Sequence, residues 1–167
     1  IPAFKVVSVF DVSQTEGKER PDIAVDALTG NVEQYEDFWR ALKLTSPVTV
    51  TLEKIDGSAH GYYDLAEKRI AIDDGMSELQ TIKTAIHEMA HAKLHDIDLN
   101  APEQAERPDR STREVQAESV AYAVCQHYGL DTSDYSFGYI AGWSSGKELA
   151  ELKGSLETIR STAAKLI

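Results

Sequence analysis

Two histidines four residues apart, the first followed at once by a glutamate, constrain this chain more than any other feature: His87-Glu88-Met89-Ala90-His91. In an α-helix, residues four apart lie about 40° apart in projection. Both imidazoles can then close on one ion at roughly 2.0–2.1 Å, with the glutamate beside them poised to act on water. With five histidines and fifteen glutamates in 167 residues, chance supplies such a pattern roughly 0.01 times. The flanking residues predict the helix that the pattern needs. Ser77-Glu78-Leu79-Gln80 has capping-box form, and Leu79, Ile82, Ile86, Met89 and Ala90 continue as a buried stripe to about His95. His87, His91 and Thr84 fall on the side away from that stripe. A solvated helix that only shows two histidines to water leaves this arrangement unexplained.

A catalytic zinc ion takes three protein ligands and keeps a fourth position for water. The metzincin continuation would need a glycine three residues after His91 and a histidine three beyond that. Leu94 and Ile97 stand there instead, which excludes that class. A later helix offers Glu114 and Glu118, four apart on one face with Ala117 and Ala121, whose small side chains allow close helix approach. Ser111-Thr112-Arg113-Glu114 is itself of capping-box form and would occupy Glu114, so spacing leaves Glu114 and Glu118 both open as third ligand. His95 lies one turn further on. Three ligands on one straight helix diverge, so His95 is expected to brace a ligand or face substrate, or else to be a last-turn histidine favoured by the helix dipole.

The rest of the pattern predicts an α+β fold: a small antiparallel sheet packed on the histidine-bearing helix and on a second, glutamate-bearing helix. Phe4 to Asp11 alternates as an edge strand, and Ser13 to Asp26 is a polar surface excursion. Val32, Tyr35, Phe38, Trp39 and Leu42 mark a helix over Val32 to Leu44, stopped by Pro47. Val48 to Ile55, His60 to Asp64 and Arg69 to Asp73 read as strands, with a turn at Asp56-Gly57. Asn100 to Arg110 is a solvated connection, the second helix spans about Thr112 to His127, and an aromatic loop from Asp131 to Ser145 leads to a last helix over about Lys147 to Leu166. Residues 1–30 are expected to be a lead-in from a missing N-terminal domain, and residues 31–167 the folded domain.

At this length a core closes without staples, so a metal here serves chemistry first. A net charge of −11 and a pI near 4.8 argue against nucleic acid as a partner of this segment. The single Cys125 permits no internal disulfide and suits a reducing, cytoplasmic setting, with a core role for the thiol. No run approaches the roughly 18 apolar residues of a membrane span, and no basic-then-apolar leader opens the chain, so no membrane partner is expected.

His87-Glu88-Met89-Ala90-His91 with His95, followed by Glu114-Val115-Gln116-Ala117-Glu118-Ser119-Val120-Ala121, resembles the zincin domain of the ImmA/IrrE and ArdC/LtrC-type proteins of bacterial mobile elements, over about residues 70 to 125. The resemblance implies a zincin-like metallopeptidase. It makes the glutamate that opens the E-x-x-A pattern, Glu114, the metal ligand, and gives Glu118 the task of orienting a histidine. The ImmA/IrrE pattern usually has Asn where this chain has Glu118. Phe4 to Gly17 resembles the junction after the single-stranded-DNA-binding part of ArdC-like antirestriction proteins, which implies a conjugative-element or antirestriction setting.

As a peptidase, the chain would use Zn2+ to polarise a scissile carbonyl and lower the pKa of water toward about 7, with Glu88 taking the proton and passing it to the leaving amine. The partner is then a protein or peptide substrate, held along a strand edge near Arg69 to Asp73. Tyr135, Tyr139 or His127 could donate to the oxyanion, although tyrosines in such a loop also serve as core or interface anchors. The alternative is a non-catalytic metal-binding domain that acts in antirestriction or regulation through its acidic surface.

Overall fold

In the computed structural model, α1 spans Tyr35–Thr45, β1 Thr49–Glu53, β2 Gly61–Asp64, β3 Arg69–Asp73, α2 Glu78–Leu94, α3 Arg110–His127 and α4 Leu149–Ala163. The described residues are 28–100, 107–133, 135–137 and 149–167, with backbone alone for 149–152. The strand expected at Phe4 to Asp11, the excursion after it, the junction resemblance and most of both long loops lie outside them. Among the described residues no helix is long and apolar enough to cross a membrane.

The fold is mixed α+β, but the sheet is not the expected antiparallel one. Its order is β1-β3-β2, with β1 parallel to β3 (Thr49 opposite Arg69) and β2 antiparallel to β3 (Gly61 opposite Ile72). The links explain the difference. Residues 65–68 form a tight turn in which Asp64 Oδ1 accepts from the amides of Ala66 and Glu67, which pins the β2–β3 hairpin. Residues 54–60 are too many for a two-residue hairpin, so β2 lands one position out and β3 folds back between. Ile70, Ala71 and Ile72 are fully buried, as the unbroken apolar run of a central strand requires.

α2 lies against β2, β3, α1 and α3, and α3 also supports α4. Ile82, Ala85, Ile86, Met89 and Ala90 of α2 share a fully buried cluster with Ala117, Val120, Ala121 and Val124 of α3. Burial of each large aliphatic there stabilises the fold by roughly 1.5–3 kcal/mol. The other side of α2 is covered too: Gln80, Thr81, Lys83, Thr84 and Glu88 are all buried. Gly61 permits part of this closeness, since a Cβ there would stand 2.8 Å from Thr84 Cγ2 and 3.0 Å from Ala71 O.

The helix caps depart from the expected boxes. Ser77 Oγ accepts from Gln80 N at 3.2 Å, but the buried Gln80 side chain, instead of reaching back to Ser77 N, accepts from Leu28 N (2.9 Å) and donates to Thr84 Oγ1 (3.1 Å). α3 is capped by Asp109, whose Oδ1 accepts from Thr112 N at 3.0 Å, so the helix begins at Arg110 and the Ser111–Glu114 box does not form. A carboxylate caps at least as well as a hydroxyl and also suits the positive end of the helix dipole. Glu114 is thereby left for another use.

Candidate metal centre

α2 presents His87, Glu88, His91 and His95 to a cleft of about 360 Å³, faced by Gly61, Tyr62 and Tyr63 of β2 and by Glu114 of α3. The Nε2 atoms of His87 and His91 are 3.1 Å apart, and Glu114 Oε2 is 3.6 Å from each. Hydrogen bonding to His87 and His91 holds the Glu114 carboxyl far below the usual carboxylate range.

Each histidine is braced from behind. Glu118 Oε2 lies 3.0 Å from Nδ1 of His87 and accepts its proton, so Nε2 is the ring nitrogen that faces the cleft and Glu114. Nδ1 of His91 lies 2.9 Å from Nδ1 of His95, whose Nε2 lies 3.0 Å from Gln116 Oε1. Burial pushes His95 down to about 4, so it is neutral and holds one proton. That proton goes to Gln116 from Nε2, His95 Nδ1 accepts from His91, and Nε2 of His91 faces the cleft.

Two ring nitrogens and a carboxylate oxygen converging in this way form a donor set that could hold a metal ion. Burial opposes charge on His87, yet hydrogen bonds to Glu114 and Glu118 outweigh it and raise the ring to about 9. Ligands set tetrahedrally at about 2.0–2.1 Å from zinc stand roughly 3.3 Å apart. The three donor atoms, all within 4.8 Å of one another, fit such a group.

Glu118 anchors a second layer. Its Oε2 is 2.6 Å from Lys83 Nζ, and Ser136 Oγ donates to its Oε1 at 2.6 Å. Burial works against ionising Glu118, but His87 and Lys83 hold it down to about 2. The Lys83 ammonium sits 3.6 Å from the centre of the Tyr135 ring, a cation–π contact. Glu88 is buried beside the histidines, and that burial raises its carboxyl above the ordinary value against their opposing charge.

Of the expected oxyanion donors, Tyr135 lines the neighbouring part of the cleft together with Lys83 and His87. His127 is not brought there. It is exposed on the last turn of α3, packed edge-on against Tyr128, and thirteen residues from Glu114, roughly 20 Å along the helix. Tyr139 lies outside the described residues. Sequence reasoning missed Lys83 and Gln116, although each has a readable signal: Lys83 precedes His87 by one turn on the same face, and Gln116 lies between the two glutamates.

A sheet, an HExxH helix and a glutamate-bearing helix that close two histidines and a carboxylate around one point define a class of α+β domains suited to a catalytic metal. Residues 46–129, which hold all three strands and both site helices, match the IrrE N-terminal-like domain, and the chain belongs to that peptidase family. It is also 32% identical over 180 residues to pXO2-81, an uncharacterized protein of Bacillus anthracis. The alignment takes in 96% of this chain but spans only 30% of that relative's length. No solved structure gives a significant match.

Proposed function

We propose that this chain is a zinc-dependent peptidase domain that cuts a peptide bond in one specific protein partner. The observation that carries the reading is the facing pair of Nε2 atoms at 3.1 Å with Glu114 Oε2 at 3.6 Å from both, next to a buried Glu88. His87, His91 and Glu114 would hold the ion, with Glu118 and His95 fixing the two rings. Bound zinc supplies Lewis acidity toward a carbonyl and toward water. Glu88 accepts the proton of the attacking water on its carboxylate and returns it to the leaving amine.

The substrate edge differs from the one expected near Arg69 to Asp73, because β3 is paired on both sides. Among the described residues β2 is the edge strand that lines the cleft, and its outer backbone groups are placed to pair with an extended peptide. A setting in a conjugative element or in antirestriction rests on the resemblance of the two site motifs and of residues 4–17 to proteins of bacterial mobile elements. The test is a proteomic comparison of host cells expressing wild type or Glu88→Gln. One new fragment that depends on Glu88 supports the reading. A biological effect unchanged by Glu88→Gln overturns it in favour of a non-catalytic binding domain.

A further inference from the structure

The chain has 28 acidic and 17 basic residues, yet its metal cleft reverses that balance: Arg107, Arg110 and Arg113 line it against Glu88 and Glu114. The three arginines recur every third residue through the lead-in and first turn of α3. Residues three apart on a helix are surface neighbours, so Arg110 and Arg113 fall on one side. Arg107 is fixed in the wall by a hydrogen bond from Nη2 to the His95 carbonyl at 2.9 Å. None of the three is in an ion pair with another described residue, and the Nε atoms of Arg107 and Arg113 are buried without an acceptor. Exposed acidic residues are abundant elsewhere on the chain, so the lack of ion-pair partners for these three among the described residues contrasts with the rest of the surface.

We propose that Arg107, Arg110 and Arg113 form a carboxylate-binding wall, and that the domain selects a substrate segment with an acidic side chain close to the scissile bond. The inference rests on the peptidase reading and adds the substrate class. A guanidinium fork matches a carboxylate in two-point geometry, which a glutamine of the same shape cannot reproduce with charge. Three such groups at the rim of a partly enclosed cleft also raise the local concentration of an anionic segment.

The probes are peptide hydroxamates, which bind through the metal, made in pairs that carry Glu or Gln next to the chelating group, with the peptide extending from either side of it. Affinity for the zinc-loaded wild-type chain is measured by calorimetry at low and at high salt. The Glu form should bind about tenfold tighter than the Gln form in at least one orientation, by a margin that shrinks as salt rises. The margin should disappear in Arg107→Gln/Arg110→Gln/Arg113→Gln and narrow in Arg110→Gln alone, an exposed site whose change leaves the fold intact. Equal binding of both forms, or a preference that survives in both variants, overturns the carboxylate wall alone. Failure of every hydroxamate to bind overturns the metal-peptidase reading and this inference with it.

Discussion

Glu118 crosses from α3 to place Oε2 3.0 Å from Nδ1 of His87, so a fully buried carboxylate sets the direction of a ring that opens on the cleft. Glu114, one turn earlier on the same helix, faces the Nε2 atoms instead. The two glutamates therefore differ in what their loss should do. Glu118→Gln keeps an acceptor for Nδ1 but loses its charge, and zinc affinity should fall about 10–100-fold. Glu114→Ala removes one of the three donors in the cleft and should weaken zinc binding further. Competition with a fluorescent chelator measures both, and a larger loss in Glu118→Gln would reverse the roles.

Lys83 and Glu118 form an ion pair with side chains 4% and 1% exposed. Breaking such a pair from one side strands the other charge, at a cost of about 3–5 kcal/mol. Lys83→Met should therefore destabilise the metal-free protein by about that much in urea unfolding. Lys83→Met/Glu118→Gln should recover part of the loss, because neither charge of the pair then remains. Additive losses in the double variant would show that the pair is not coupled.

Much of this arrangement was legible in residue order. β3 has the predicted bounds Arg69–Asp73, and the HExxH helix starts where Ser77 caps it, because hydrophobic period and cap chemistry are local properties. Strand pairing is not local. The parallel β1–β3 contact depends on where residues 54–60 set down β2, which no alternation pattern encodes, and the substrate edge moved with it. Lys83 does not stand out in residue order because a lysine in a helix is ordinarily solvated, and its burial becomes affordable only once Glu118 arrives from 35 residues away. Glu114 was ambiguous for the opposite reason: a local capping signal competed with a distant use, and the cap formed at Asp109 instead.

Gly61→Ala should destabilise the fold by about 1–3 kcal/mol, since the added Cβ meets Thr84 Cγ2 at 2.8 Å and the Ala71 carbonyl at 3.0 Å. β2 can relieve the contact only by moving off α2 or off β3. Thermal unfolding measures the cost, and Thr84→Ser, which removes the nearer methyl, should restore part of it in the double variant. An unchanged melting temperature would refute the close approach of β2 to α2.

Cys125 is fully buried, and that burial pushes its thiol up to about 12. It should react with an aromatic disulfide reagent only after unfolding, with a native rate at least about 100-fold below that in denaturant. Fast labelling of native protein at neutral pH would contradict its place in the α2–α3 core.

The central claim is that His87, His91 and Glu114 together hold one zinc ion. Elemental analysis of protein purified and dialysed against a weak chelator tests it directly, run in parallel on wild type, His87→Ala, His91→Ala, Glu114→Ala and Glu88→Gln, with circular dichroism to verify folding. The expected result is close to one zinc per chain in wild type and Glu88→Gln and little in the other three, since two donors do not hold the ion against competition. Stoichiometric zinc in folded His87→Ala, His91→Ala or Glu114→Ala would contradict the claim.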